Sequence, residues 1–524
     1  MNPMDTTLSR RGLVCSAAGA TAAAALAASG IQAAQADDSA VPPSWDATLP
    51  ETWNRTCEML VLGCGIAGAC GAVEGADLGL DVLVVDAAPT VVDCCCTLSG
   101  GSLSGCCTEI QEANDIEDDV ETMVSDIRRC GGDMGDVALI RTWCETSGET
   151  VEWLEEIGCD VFDQVISAEC HSIDRNYYAN PTGSGIGWMQ GLEKALDERG
   201  VEILSNTRAT KLYRDASGVV VGAHVEPKDG EPFNIEATRG VLLAVGGLGN
   251  DTELWGRYCL SMKEITENAK AIVSGSPADV NGDGYRMLEA INGYCYPTPP
   301  NYGGEGVAVS ENGPASGICC PWRWTSSFCE VNANGERFIN ETSFHDSYDL
   351  KIGLKQPGMW HVGIFDDVAR QAADGQAQGQ PIIDEAMKNG MPTVVKADTL
   401  EELAEAFGLP VDVVLASVED FNAHVESQEP DEFGRTDFLG EKIATPPFWG
   451  FDMEVIVATS KGGSKINTQA QALDRFDQVI PHLYVAGEMA FFPLMGSSAE
   501  HITGGCNGAG AVFGRIAARS IAAE

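Results

Sequence analysis

The sequence predicts an α/β fold built on a parallel β-sheet that is interrupted by an inserted second domain. Three observations predict this fold. A strand, a glycine-rich loop, a helix and a second strand follow one another over 57–86, and two further strands end in glycine at 239–250 and 481–489. Because these strands would belong to one sheet but lie far apart along the chain, another domain must lie between them.

The segment 57–86 has the residues that a dinucleotide-binding turn requires. A short apolar strand leads into Gly63-x-Gly65-x-x-Gly68. In such a turn Gly63 permits the tight bend, Gly65 lets a pyrophosphate approach the backbone, and Gly68 lets helix and strand pack closely. The helix N-terminus offers N–H groups to the phosphates, and Asp86, at the end of the second strand, can accept hydrogen bonds from ribose hydroxyls.

The two later strands favour FAD over NAD as the nucleotide. One strand ends in Gly246-Gly247 and the other in Gly487-Glu488, and an NAD-only domain is usually contiguous. The predicted fold is therefore a Rossmann-like FAD-binding domain of the glutathione-reductase type with an inserted α+β capping domain. The predicted boundaries are a signal peptide at 1–36, a linker at 37–55, and the FAD-binding domain at 56–253 and 366–524 with a helical segment at about 366–440.

The first residues are typical of an export signal. Arg10 and Arg11 precede an apolar, alanine-rich stretch at 14–28, and an A-x-A cleavage site ends at Ala36. The stretch is too short for a membrane span, and the paired arginines favour the twin-arginine route. We therefore expect a protein that is exported, folded, to the periplasm, the outer face of the cytoplasmic membrane or the medium, with no transmembrane span after signal removal.

The charge and the cysteines limit the partners. Seventy-eight acidic and 32 basic residues give a net charge of −46, which argues against binding of nucleic acid or an anionic membrane and fits solubility or docking to a basic partner. The 19 cysteines include adjacent ones but no C-x-x-C pair. They are interpreted first as buried small hydrophobes or pocket lining, with metal or iron–sulfur ligation and disulfides as the alternatives. We expect no metal.

Further segments carry a resemblance to a known family. R-G-V-E-I-L-S-N-T-R-A-T at 199–210, V-N-G-D-G-Y-R-M-L at 280–288 and the G-x-R-F-x-N-E motif within 331–341 resemble the FAD-binding superfamily of fumarate reductase and succinate dehydrogenase flavoproteins. Its relatives include urocanate reductase and the 3-ketosteroid dehydrogenases. The S-G-G stretch within 97–111 partly resembles that of the ketosteroid enzymes, with cysteines in place of the glycines before Thr108. The signal-bearing, cysteine-rich plan without a fused haem domain resembles reductases of gut actinobacteria, of which the cardenolide reductase is one. The chain is accordingly placed nearer to these members than to fumarate reductase proper.

Motif and resemblance together imply the FAD contacts. The cofactor is expected to be non-covalent, because Cys and Ser stand at 94–99, near which succinate dehydrogenases carry a flavin-linked His. The resemblance places Cys506 to Gly510 against the isoalloxazine, and it implies that the inserted domain, at 254–365, is a capping domain that closes over the flavin. The residues assigned to FAD are Gly63, Gly65, Ala67, Gly68, Asp86, Ala87, Gly100, Gly101, Ser102, Ala209, Ala244, Gly246, Gly247, Asp251, Gly487, Glu488, Asn507, Gly508 and Ala509.

Departures from the family pattern concern the catalytic residues. His345 and His501 stand where fumarate-reducing members carry arginines, and Thr459 replaces a histidine. The resemblance therefore implies reduction of a carbon–carbon double bond conjugated to a carbonyl in a substrate other than fumarate. Hydride would pass from flavin N5, with His345 as the proton donor and His501 polarising the carbonyl or acting as an alternate donor. A structural role is the alternative for either histidine.

The substrate pocket and the electron source are predicted more loosely. Trp322, Arg323 and Trp324 could form a flat wall for a large substrate or could be core aromatics of the cap, and Tyr177 is a further pocket candidate. With no C-x-x-C-H haem motif and no second nucleotide fingerprint, we expect a separate electron donor, a c-type cytochrome or a quinol-linked membrane protein. The rival functions are a dehydrogenase that introduces the double bond and a non-catalytic flavin carrier.

Overall fold

The protein is described from a computed structural model. The structure describes residues 44–524 except for 168–169, 182–184, 260–261, 269–271, 275, 299–301, 304–308, 311–312, 315–326, 342–352, 354, 374–393, 437–441, 454, 458 and 496–501. The predicted signal peptide, His345, His501, Trp322, Arg323 and Trp324 lie outside the described residues. Within them, no helix has both the length and the apolar character that crossing a bilayer requires.

The strands are short at the periphery and longer in the centre. They are β1 Arg55–Leu62, β2 Val82–Val85, β3 Leu103–Ser104, β4 Asn176–Tyr177, β5 Glu202–Leu204, β6 Thr207–Arg214, β7 Val220–Pro227, β8 Phe233–Leu243, β9 Ile272–Ser274, β10 Cys295–Tyr296, β11 Tyr302–Gly303, β12 Val309–Ser310, β13 Gly313–Pro314, β14 Cys329–Asn332, β15 His361–Asp366, β16 Val394–Ala397, β17 Phe448–Met453, β18 Val455–Val457, β19 Gly463–Ser464, β20 Gln471–Leu473 and β21 Val479–Val485.

The helices begin at residues whose side chains or conformations suit an N-terminus. Thr108, Asp119 and Asp136, for example, each accept hydrogen bonds from main-chain N–H groups of the first turn. The α-helices are α1 Ile66–Asp77, α2 Cys95–Leu98, α3 Glu109–Ala113, α4 Val120–Cys130, α5 Val137–Glu156, α6 Ile186–Glu198, α7 Thr252–Tyr258, α8 Met262–Asn268, α9 Asp283–Ala290, α10 Asp367–Ala373, α11 Leu400–Phe407, α12 Val411–Ser427, α13 Phe492–Met495 and α14 Gly505–Ala523, and 3-10 turns lie at Pro357–Met359 and Gly487–Ala490.

The central sheet has the order β20-β21-β8-β1-β2-β5, with β6 and β7 forming an antiparallel extension beside β8. Strands β21, β8, β1, β2 and β5 run parallel. The whole of β2 and the second half of β1 are buried, as expected for a parallel sheet covered on both faces. The predicted α/β fold on a parallel sheet is confirmed.

The register of this sheet brings several loops to one edge. Leu62, the last residue of β1, pairs with Val85 of β2 and with Leu243 of β8. Leu243 in turn pairs with Val485 of β21. Four parallel strands therefore end side by side, and ligands of open α/β sheets bind outside such carboxyl ends.

A second, antiparallel sheet has the order β14-β15-β17-β16 and its own hydrophobic core. Helices α11 and α12 pack on it, and the core includes Val331, Ile364, Leu403 and Phe421. The predicted helical segment at about 366–440 thus contributes α11 and α12 to this second sheet. The boundary between capping and FAD-binding domains stays a prediction.

Candidate nucleotide and active site

The glycine-rich loop after β1 has three glycines in three different environments. Gly63 has φ +92°, and a Cβ there would lie 2.3 Å from Ala244 O. A Cβ on Gly68 would lie 1.9 Å from Gly63 O, so only glycine allows α1 to approach the strand this closely. A Cβ on Gly65 would meet no atom within 4 Å. Gly65 therefore faces open space at the N-terminus of α1, where the free N–H groups suit a phosphate.

Asp86 lies at the neighbouring strand end and ties two loops together. Its carboxylate accepts hydrogen bonds from the main-chain N–H of Cys64 and, at 2.7 Å, from that of Ala88. Burial raises the pKa of Asp86 to about 6, although these two hydrogen bonds lower it. Each carboxylate oxygen keeps acceptor capacity, so Asp86 fits the ribose-binding role that the motif predicts.

Glu488 is held at the end of β21 by Ser460. The main-chain N and Oγ of Ser460 donate to Glu488 Oε1 at 2.7 and 2.8 Å. A Cβ on Gly247 would lie 1.9 Å from the same oxygen, so the glycine after β8 makes room for this carboxylate. Burial raises the pKa of Glu488 to about 7. The two late strand ends predicted from the sequence thus meet in the fold.

The last helix packs on the first through small residues. A Cβ on Gly514 would lie 2.1 Å from Ala67 O, and one on Gly510 would lie 3.7 Å from Ala67 Cβ. A Cβ on Gly487, which has φ +72°, would lie 3.0 Å from the same Ala67 Cβ. α14 therefore packs against the nucleotide end of α1, beside the turn that carries Glu488.

The loop before β3 lies on the first turn of α14. Asn507 Nδ2 donates to Ser102 O at 2.8 Å, and Trp188 Nε1 donates to Gly101 O at 2.7 Å. A Cβ on Gly508 would lie 2.6 Å from Ser104 O. The structure therefore brings together the predicted residues of 100–102 and 507–508.

Two buried polar atoms near this loop fit a polar ligand. Ser104 Oγ and Asn176 Nδ2 have no hydrogen-bond partner among the described residues. The Oδ1 atom of Asn176 contacts Ser102 Oγ. Because buried polar groups are nearly always satisfied, these atoms, the open space at Gly65 and the two carboxylates are compatible with a bound dinucleotide.

The remaining residues that were predicted to bind FAD lie in several different elements of the fold. Ala87 follows Asp86, Ala209 is buried in β6, Ala244 and Gly246 follow β8, and Ala509 is buried in α14. Asp251 caps α7 through Leu254 N and pairs with Arg286, which gives it a structural role. Tyr177 is fully buried, with its hydroxyl 2.6 Å from Thr108 Oγ1. Its place in a substrate pocket stays a prediction.

Sequence reasoning missed Lys461. This side chain is 1% exposed, although lysine is almost never fully buried without a role for its charge. Burial raises the pKa of Cys506 to about 12, and the positive charge of Lys461 lowers it. Lys461 therefore lies near the start of α14. The only available signal was a lysine directly before Gly462-Gly463, in a segment that otherwise resembles a loop.

His171 lies six residues before the pocket candidate Tyr177 in the sequence. Its Nε2 lies 2.8 Å from Thr503 O, so it donates to the chain just before α14. Burial lowers the pKa of His171, and its buried Nδ1 has no hydrogen-bond partner among the described residues. Neutral His171 thus links 170–178 to the start of the last helix.

The described cysteines are mostly buried. Ten of those described are buried, and each described cysteine is present as a thiol. No group of three or more His, Cys, Asp or Glu within the described ranges could hold a metal ion. The interpretation as small buried residues suits most of them.

Residues 58–510 match the model of the FAD binding domain family. The chain is 29% identical over 477 residues to "Probable fumarate reductase Ifc3" of Shewanella frigidimarina, covering 88% of this chain and 74% of that protein. It is 31% identical over 381 residues to the 3-oxosteroid 1-dehydrogenase of Mycolicibacterium smegmatis, covering 66% of this chain and 63% of that protein. The open conformation of a flavocytochrome c3 fumarate reductase aligns with a TM-score of 0.76 at 27% identity, covering 90% of this chain and 79% of that one. The expected superfamily and the FAD cofactor are confirmed.

Proposed function

Because the chain belongs to the FAD binding domain family, we propose that this FAD-dependent oxidoreductase is an exported reductase of carbon–carbon double bonds conjugated to a carbonyl. The observation that carries the proposal is the convergence of the Gly63 loop, Asp86, Gly247 and Glu488 on one sheet edge, with the start of α14 beside them. The similarity to a fumarate reductase and to a 3-oxosteroid dehydrogenase supports chemistry at a carbon–carbon bond.

The protein's own residues have a limited set of tasks in this reaction. Bound FAD supplies the hydride. The chain must orient the acceptor, stabilise the negative charge that develops on its carbonyl oxygen, and deliver one proton to the α-carbon. We propose His345 as the proton donor and His501 as the residue that polarises the carbonyl or donates in its place. Buried Lys461 adds a fixed positive charge near Cys506, which favours an acceptor that becomes anionic.

Electrons are proposed to come from a separate carrier. The net charge of −46 favours a basic partner, as a basic c-type cytochrome would be, and a quinol-linked membrane protein is the other donor class. Export by the twin-arginine route would place the enzyme where NADH is scarce. Efficient steady-state turnover with NADH and no mediator would contradict this part of the proposal.

Dehydrogenation is the second candidate function, favoured by the similarity to the 3-oxosteroid 1-dehydrogenase. It would use the same site in reverse, introducing the double bond and passing electrons to a high-potential acceptor or oxygen. A flavin carrier without catalysis is the third, and it would need no second folded unit such as the β14-β15-β17-β16 sheet.

A panel of acceptors tests the proposal. The FAD-bound enzyme is reduced anaerobically with reduced methyl viologen and mixed with fumarate, urocanate, a cinnamate, a 3-keto-4-ene steroid or a cardenolide, and reoxidation is followed by the visible absorbance of flavin. Rapid reoxidation by a conjugated carbonyl compound but not by fumarate is expected. Rapid reoxidation by fumarate would show that the missing arginines were misinterpreted, and silence across the panel would favour the dehydrogenase or the carrier.

A further inference from the structure

Cys130 and Cys170 are distant in sequence and touch in the fold. Cys130 is the last residue of α4, and its Sγ lies 3.7 Å from the main-chain oxygen of Cys170. The neighbouring Cys170 side chain and burial raise the pKa of Cys130 well above its ordinary value. The two cysteines are therefore neighbours in the fold, and a disulfide would require their sulfur atoms to approach to about 2.05 Å.

The segment that carries Cys170 is held to α4 by hydrogen bonds that involve the charged side chains of that helix. Arg129 Nη2 donates to Cys170 O at 2.7 Å. Asp126 accepts hydrogen bonds from Ser172 N at 2.8 Å and from Arg175 Nη1 at 2.6 Å. The two cysteines are therefore held together by contacts that do not depend on sulfur chemistry.

Cys170 has a backbone conformation that residues other than glycine rarely adopt. Its φ is +68°, in the left-handed region that is unfavourable for a residue with a Cβ. Cys170 is also the more exposed of the two cysteines, whereas Cys130 is buried.

We propose that Cys130 and Cys170 form a disulfide once the protein meets an oxidising compartment; this rests on the export that is part of the proposed function. The Cys170 thiolate attacks the disulfide of a thiol–disulfide oxidoreductase of that compartment. Cys130 then resolves the mixed disulfide. One S–S bond forms in this chain, and its two S–H protons and two electrons pass to the oxidoreductase, which leaves as a dithiol. In the cytosol, where twin-arginine substrates fold, the pair stays reduced.

The cross-link would secure a segment that reaches the flavin side of the fold. His171 follows Cys170 directly, and it contacts Thr503 O before α14. Arg175 is fully buried in a pair of ion pairs with Asp118 and Asp126. A disulfide at residue 170 would therefore restrain the chain that supports the start of the last helix.

The sequence separation sets the expected stabilisation. The bond closes a loop between residues 40 apart, and in the chain-entropy model such a loop raises the unfolding midpoint of a chain of this size by about 4 °C. The Cys130→Ser variant is expected to lose this oxidation-dependent rise. The matched control is Cys159→Ser, which alters a buried thiol whose pKa is raised by burial alone.

The test uses the full-length, FAD-bound enzyme in a glutathione buffer poised at about −200 mV. Samples are quenched in acid, free thiols are alkylated under denaturing conditions, and peptides are analysed by mass spectrometry with and without reduction. We expect a linked Cys130–Cys170 peptide, and a midpoint about 4 °C higher than in dithiothreitol for wild type and Cys159→Ser but not for Cys130→Ser.

Alkylation of both cysteines without reduction would overturn the proposal, as would a glutathione adduct on Cys170 alone. Cleavage of the signal peptide is measured separately in the producing cell. A linked peptide in a protein that keeps its signal would confirm the pair and contradict export. A linked peptide in an enzyme that reduces no conjugated acceptor would contradict only the proposed reaction.

Discussion

Replacing Gly65 by alanine separates cofactor binding from folding. Gly65 has φ −65° and ψ −179°, a conformation that alanine adopts freely, and its Cβ would meet no protein atom within 4 Å. We therefore expect the free energy of unfolding of the apoprotein to change by less than about 1 kcal/mol. The added methyl would instead occupy the space through which a pyrophosphate reaches the N-terminus of α1.

The magnitude follows from the hydrogen bonds that this methyl blocks. A hydrogen bond from a main-chain N–H to a charged phosphate contributes about 1.5–3 kcal/mol. Loss of one such bond, at about 2 kcal/mol, raises the Kd for FAD roughly 30-fold. Titration of apoprotein with FAD, followed by flavin fluorescence, measures this change, and a urea titration of the apoprotein measures stability.

The matched control is Gly256→Ala in α7, whose Cβ also meets no atom within 4 Å. This variant should retain the wild-type Kd. An unchanged Kd in Gly65→Ala would refute the assignment of the glycine-rich loop to the pyrophosphate. Unfolding of the Gly65→Ala apoprotein would contradict the open space at this position.

Three further predictions concern buried charge. Arg175→Leu removes the cation paired with buried Asp118, whereas Asp126 keeps its ion pair with Arg129, and the change should lower the free energy of unfolding by about 3–5 kcal/mol in urea titrations. Burial raises the pKa of Glu488 to about 7, so the folded state binds this proton more tightly than the unfolded state does. As pH rises from 4.5 to 7, the free energy of unfolding of wild-type apoprotein should therefore fall by about 3 kcal/mol relative to that of Glu488→Gln. Lys461→Met removes the charge that lowers the pKa of Cys506, so iodoacetamide should alkylate Cys506 several-fold more slowly, whereas Lys465→Met should leave the rate unchanged.

Each of these predictions has a defined contrary result. Arg141 pairs with Glu121 at the surface, so Arg141→Leu should cost less than about 1 kcal/mol, and an equal loss in Arg175→Leu would contradict the buried network. A pH-independent difference between wild type and Glu488→Gln would show that the carboxylate is not perturbed. Equal alkylation rates in the two lysine variants would place Lys461 away from Cys506.

The fold was predictable because its signals are local. The pattern around Gly63 combines a buried strand, a turn that requires positive φ and a helix, and each part has a distinct residue preference. The strands before Gly246 and Gly487 could be recognised in the same way. Their place in one sheet was inferred from the glycine turns at their ends, and the register of β8 and β21 agrees with it.

Features that depend on tertiary contacts could not be predicted from local residue preferences. The sequence analysis predicts a helical segment at about 366–440, but this prediction does not say that α11 and α12 pack on the second sheet. Burial of Lys461 and the contact between Cys130 and Cys170 arise from chain segments far apart in sequence. The spacing of the cysteines gives no signal for that pair, because a disulfide depends on distance in space.

Single-turnover product analysis tests the central claim most directly. Enzyme carrying reduced FAD is mixed anaerobically with a 3-keto-4-ene steroid or another conjugated carbonyl compound that reoxidises it, and the products are quantified by mass spectrometry. The account predicts one equivalent of the product saturated at the conjugated double bond for each FAD reoxidised. Reoxidation without a saturated product would contradict it. So would an enzyme that only introduces the double bond, which means that its oxidised form dehydrogenates the saturated ketone while its reduced form leaves the conjugated ketone unchanged.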